Sequence, residues 1–119
     1  MADKWELAVA KLVALTEKGQ LKWDQDYRFE DLRPEIAVVS PGFSTVIDGK
    51  YVAAYEYRFK QYDDDANWNW ETDVRVEFIS DTGKLEWQWP GTPSRFRLMD
   101  SIRMQFAGAE QFLEHFLAD

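Results

Sequence analysis

Residues 46–62, VIDGKYVAAYEYRFKQY, decide the fold. Asp48-Gly49 is a two-residue hairpin signal, because the tight turns that join antiparallel strands need φ > 0 at their central positions. After the turn, Tyr51, Ala53, Tyr55, Tyr57 and Phe59 share one parity, while Lys50, Glu56, Arg58 and Lys60 share the other. Successive strand side chains point to opposite faces, so the spacing predicts a long strand with an aromatic inner face and a charged outer face.

The pattern repeats outward from this strand. In residues 72–80, TDVRVEFIS, the residues Val74, Val76 and Phe78 point inward and Arg75 and Glu77 outward. Asp81-Thr82-Gly83-Lys84 turns the chain into LEWQWP, where Leu85, Trp87 and Trp89 form the inner set and Glu86 and Gln88 the outer one. Upstream, IAVVS and FSTVI flank Pro41-Gly42, in which proline sets φ and glycine permits φ > 0, so two short strands joined by a turn are expected. Connections this short impose antiparallel order.

Helices flank the strands. Asp3 and Glu6 have the spacing of a capping pair, Trp5, Val9, Leu12 and Val13 recur at a helical period, and Gly19 supplies a left-handed stop. This predicts a helix over about residues 3–18. In the segment 20–35, QLKWDQDYRFEDLRPE, Pro34 forbids a regular central strand, and Leu21 and Trp23 alternate as a short edge strand or lid. Pro90 and Pro93 end the sheet, Thr92-Pro93 starts a helix, and Leu98, Met99, Ile102 and Phe106 make its stripe as far as a break near Gly108. Phe112, Leu113, Phe116 and Leu117 make a second stripe beyond it. The expected fold is α+β, one domain over 1–119: an N-terminal helix, a four- or five-stranded antiparallel meander, and C-terminal helices packed on one sheet face. The helices are expected on the aromatic face. The other, with Glu56, Arg58, Lys60, Arg75, Glu77, Glu86 and Gln88, is expected to stay wet or meet a partner.

Composition narrows the function. With 119 residues, 45% of them hydrophobic, the chain can bury one core without disulfides, and it has no cysteine to form them or to hold zinc through sulfur. The amino end lacks the pattern of a secretory signal, and the apolar runs fall far short of the roughly 20 residues that span a bilayer. A cytoplasmic protein with no membrane contact is the expectation. The formal net charge of −8 has the sign of a phosphate backbone, which disfavours direct nucleic-acid binding. Arg95, Arg97 and Arg103, the one candidate basic strip, spread around a helix instead of lining a face.

The chemistry concentrates in residues 63–70, DDDANWNW. Read as a calcium loop from Asp63, the oxygen-bearing positions Asp65, Asn67 and Asn69 fall correctly, but Trp68 occupies the glycine position and Val74 the position of the closing glutamate. His115, the only histidine, has no serine elbow to serve. Glu56, Glu77 and Glu86 read as cross-strand ion pairs, and no glycine loop cradles a phosphate. No catalytic residue, metal ligand or cofactor is therefore assigned. Asp63, Asp64, Asp65, Trp68, Trp70 and Glu71 are the candidate partner-binding residues: tryptophans rimmed by charge suit a protein interface. Seven acids against one base over 63–81 would steer a protein with a basic surface, and could mimic nucleic acid. This points to a non-enzymatic interaction module, an inhibitor, immunity-type protein or regulator. The alternative is a small-ligand or carbohydrate-binding domain using Trp68, Trp70 and Tyr62. An uncovered edge near QLKWDQD offers pairing with a second copy in a homodimer.

The stretches LVALTEKGQLKW, with Thr16, Gly19, Leu21 and Trp23, VIDGKYVAAYEYRF and DVRVEFISDTGKLEW resemble, in order, a family of small uncharacterised bacterial proteins. The resemblance implies the helix, meander, helix fold and brings no catalytic residue.

Overall fold

A computed structural model describes residues 3–118. Helix α1 (Lys4–Glu17) is followed by β1 (Asp24–Asp26), a single 3-10 turn (Glu30–Leu32), β2 (Ala37–Ile47), β3 (Lys50–Tyr62), β4 (Trp68–Ile79) and β5 (Leu85–Gln88). Helices α2 (Arg95–Ala107) and α3 (Ala109–Leu117) complete the chain. The five strands form an antiparallel sheet in sequence order. The β2–β3 turn is the expected one, with Asp48 at φ 52° and Gly49 at φ 78°, and it pairs Ile47 with Lys50.

Helices α1 and α2 cover one face. Val9, Leu12 and Val13 of α1 and Leu98, Met99 and Ile102 of α2 pack on Val52, Ala54, Val74 and Val76. This corrects the expected placement: the face under the helices carries the small aliphatic residues of β3, and the aromatic parity lies on the other side. That second face is covered as well, by the segment between β1 and β2. Phe29 is fully buried there, stacked on Tyr55 with ring centroids 5.0 Å apart. The segment read as an edge strand or lid supplies both: Asp24–Asp26 pairs with β2, and the following residues close over the aromatics. Trp23 itself is buried, its indole N–H donating to Thr16 Oγ1 at 3.0 Å.

A second correction concerns Pro41-Gly42. The predicted turn between two strands is a bulge inside the single strand β2, where a cis Ser40–Pro41 bond sits and Ser40, Pro41 and Gly42 together lie between the pairs Val39–Glu56 and Phe43–Ala54. Gly42 does not use its freedom of φ. It uses its missing side chain, since a Cβ there would come within 2.5 Å of the Phe29 ring. Two bulged residues that look like a turn in sequence thus bend β2 around the aromatic lid.

Smaller departures follow from tertiary competition. Asp3 caps α1 by accepting from Trp5 N–H at 2.8 Å, but Glu6 does not complete a capping box. Its carboxylate accepts instead from Ser94 N–H at 2.8 Å and Ser94 Oγ at 2.5 Å, fastening the start of α2. Just past β5, Trp89 is buried, whereas within the strand Trp87 is half-exposed against Trp5 and Leu85 is exposed opposite Ile79. Helix α3 begins after Gly108, which has φ 68°, and none of its residues is buried.

Candidate functional site

The β3–β4 hairpin divides into a buried base and a free end. The register pairs Tyr51 with Ile79 at the base and Tyr62 with Trp68 at the tip. Strand β2 accompanies β3 only as far as Arg58, and β5 accompanies β4 only at Glu77–Ile79. Residues 59–71 therefore project as a two-stranded ribbon, in a molecule whose principal extents are 58 × 35 × 34 Å.

At the base, the aromatic face holds a closed polar cluster that parity alone placed in water. Glu77, expected to point outward, is fully buried. It accepts from Arg33 Nη2 at 2.8 Å, from Arg33 Nε at 3.3 Å and from the Tyr55 hydroxyl at 2.6 Å. Arg75 lies 3.8 Å from the same carboxylate, with its guanidinium 4.6 Å above the Tyr57 ring. Burial works against the Arg33 cation, but the Glu77 carboxylate outweighs it and holds the guanidinium above its ordinary value. Burial, joined by that carboxylate, pushes the Tyr55 hydroxyl far above the normal phenol range. The hydroxyl thus stays a donor to the carboxylate. Glu56, by contrast, faces the helices and pairs with Arg103 at 3.0 Å. Glu56 and Glu77 lie on opposite faces, so the sheet carboxylates do not converge as an acid–base pair.

At the free end, the six candidate residues part into a tip and two faces. Asp63, Asp64 and Asp65 lie in the turn. Asp64 closes it: its carboxylate accepts from Ala66 N–H at 2.8 Å, Asn67 N–H at 2.9 Å and Asn67 Nδ2 at 3.0 Å. Those bonds, led by the two from backbone N–H groups, stabilise the carboxylate and hold its pKa below the usual carboxylate value. Asp63 and Asp65 are exposed. Trp68 and Trp70 stand on the face that continues from the helices, edge to face with centroids 5.4 Å apart, 41% and 46% exposed. Glu71 lies on the opposite face, across from Phe59.

Arg58 and Lys60, expected on the face that stays wet or meets a partner, join this site beside the tryptophans. Lys60 Nζ sits 4.5 Å from the Trp68 ring centre and 5.9 Å from that of Trp70, and the Arg58 guanidinium lies 5.0 Å above Trp70. Cation and aromatic alternate along the face, each exposed contact of this kind contributing about 0.5–1 kcal/mol. The signal was present: Arg58, Lys60 and Tyr62 share a parity, and centring the turn on Asp65 pairs Tyr62 with Trp68 and Lys60 with Trp70.

The acidic patch is smaller than the count of seven suggests. Glu77 is buried in its ion pair, and Asp73 is bound by Arg95 Nε at 2.8 Å. Asp63, Asp64, Asp65 and Glu71 remain, with Arg58 and Lys60 nearby on the ribbon, so its charge is mixed and sorted by face, while Asp81 lies beyond the base of the hairpin. Elsewhere, a groove of about 700 Å³ runs between Asp24–Arg28 and Ser44–Val46. In it the Asp26 carboxylate accepts from Ser44 Oγ at 2.7 Å and pairs with Arg28 at 2.6 Å. His115 is exposed on α3, beside the stacked rings of Phe112 and Phe116. Among the described residues, no three His, Asp or Glu side chains gather as metal ligands, and no helix is long and apolar enough to cross a membrane. Compared with known proteins, the chain matches no family, no curated protein and no solved structure.

Proposed function

We propose that the protein is a non-enzymatic interaction module that grips a protein partner with the projecting β3–β4 ribbon, acting as an inhibitor, an immunity-type protein or a regulator. The observation that carries this reading is the free end itself. A hairpin needs no pair of half-exposed tryptophans to close, and two exposed rings held rigid on a sheet are the usual anchors of an interface. Here Trp68 and Trp70 are that pair, with Asp63, Asp65 and Glu71 as a charged rim. The carbohydrate reading loses ground on the same geometry. A sugar ring needs an open aromatic face, and Lys60 and Arg58 already lie over the two indoles. The mixed charge of the ribbon likewise favours a protein surface over wholesale mimicry of nucleic acid.

The test is capture of partners from the native host by the immobilised protein, with Trp68→Ala/Trp70→Ala and Asp63→Asn/Asp65→Asn variants in parallel. The tryptophan variant should lose the captured protein. The aspartate variant should weaken capture and reduce its salt dependence, as expected when exposed charges steer association. Capture unchanged by both variants would overturn the reading.

A further inference from the structure

The outer edge of β4 between Trp68 and Thr72 carries a row of backbone groups with no partner among the described residues, and its direction follows from two hydrogen bonds. Asp63 N–H donates to Asn67 O at 2.9 Å, so 63 and 67, and with them the odd-numbered pairs of the hairpin, direct their backbone groups inward between the strands. Even-numbered residues of β4 direct theirs outward. Trp89 N–H confirms this by reaching Val76 O from the β5 side at 2.9 Å. Moving toward the tip, Val74 N–H is taken by the Asp73 carboxylate at 2.7 Å, which Arg95 holds from the other side. Beyond that stop, the outward N–H and C=O groups of Thr72, Trp70 and Trp68 meet no other strand among the described residues.

The two edges of the ribbon are not alike. Edge strands are ordinarily defended by charge, by lysine above all. The β3 edge, free beyond the last β2 pair at Arg58, carries Lys60 at its outward position, whereas the β4 edge carries tryptophan, tryptophan and threonine, residues that favour strands. On the ribbon the faces also differ in chemistry. Beside the β4 edge, one face offers the Trp68 and Trp70 rings. The other offers Asn69 and the exposed Glu71, next to the acidic tip, and its β3 residues Phe59 and Gln61 bring no base.

We infer that the partner is recognised by strand addition: an extended segment of the partner pairs with the β4 edge at Trp68–Thr72, and its residues alternate between apolar and basic. Side chains of an added strand continue the two faces of the sheet. The apolar set lies along Trp68 and Trp70, the basic set faces Glu71 and Asp63, and Asp73 with Arg95 limits how far the segment extends. This inference rests on the ribbon as the contact surface and names the chemistry of what it contacts.

The test uses a blocked peptide of alternating lysine and valine, about eight residues long to cover the edge, and a peptide of the same composition with lysines and valines in separate blocks. Binding is followed by tryptophan fluorescence. Thr72→Pro removes one outward N–H and no bond of the β3–β4 ladder, since proline is compatible with a strand edge; Thr72→Val keeps that N–H. The alternating peptide should bind, the block peptide should bind more weakly, and Thr72→Pro should weaken binding about five- to ten-fold while Thr72→Val leaves it unchanged. Equal binding of both peptides, no binding at about 1 mM, or indifference to Thr72→Pro overturns strand addition. So does concentration-dependent self-association lost in Thr72→Pro, which would make a second copy the occupant. If host-protein capture fails with Trp68→Ala/Trp70→Ala but survives Thr72→Pro, the ribbon reading stands and strand addition alone falls.

Discussion

The base and the free end of the β3–β4 hairpin share two strands and one register, yet they spend their polar residues in opposite ways. At the base, both faces are covered, and the Glu77 carboxylate is held by Arg33 and the Tyr55 hydroxyl, with the Arg75 guanidinium 3.8 Å away. At the free end neither face is covered, and Lys60 and Arg58 rest on indoles that remain half-exposed. Stability resides in the base, and the free end is left for contact. A buried carboxylate must be matched because its desolvation is costly, whereas an exposed cation on a ring contributes only about 0.5–1 kcal/mol.

The base depends most on Glu77. Glu77→Ala leaves two guanidinium groups against the aromatic face without their carboxylate, and urea denaturation should show a loss of about 3–5 kcal/mol. A loss no larger than that of an exposed substitution would mean that the cluster is not closed. The lid is tested next: Gly42→Ala forces a Cβ against Phe29, and the same measurement should show about 1–3 kcal/mol of destabilisation.

A gentler probe is pH. Burial raises the Asp26 carboxyl, but hydrogen bonds from Arg28 and Ser44 outweigh it and hold the group below its ordinary value. A carboxylate depressed in the folded state stabilises above its unfolded value, and that contribution disappears as pH falls through the folded value. The melting temperature should therefore drop on acidification below about pH 4, and Asp26→Asn should make that drop shallower. An unchanged acid limb in the variant would assign the loss to other carboxylates. Smallest of all should be the effect of Trp68→Ala/Trp70→Ala on stability, about 1 kcal/mol or less per ring; a larger cost would show the rings to be part of the fold.

Much of the fold was legible because it rests on local signals. Asp48-Gly49, the alternation in 50–60 and the Gly19 and Gly108 stops each appear where the sequence places them. What parity could not say is which face the helices take. Alternation separates two sets of side chains without ranking them, and a chain whose second face is covered by its own β1–β2 segment buries both sets. For the same reason Glu77 read as solvent-exposed when its partner Arg33 lies 44 residues away. Pro41-Gly42 misled in another way, since a bulge and a turn use the same residues and only Phe29 distinguishes them. The candidate site was legible at its tip and at Trp68 and Trp70. The seating of its cations on the indoles was missed because cross-strand neighbours need the register, and its free edge because an edge is defined by the strands that stop short of it.

The division of the hairpin is tested most directly by shortening it. Replacing Lys60–Trp70 with Asn-Gly joins Phe59 to Glu71, an inward-bonded pair suited to a two-residue turn. If the ribbon serves contact alone, the shortened protein should melt within about 5 °C of the parent while capturing none of its partner. A shortened protein that fails to fold, or that folds and still captures the partner, would contradict that division.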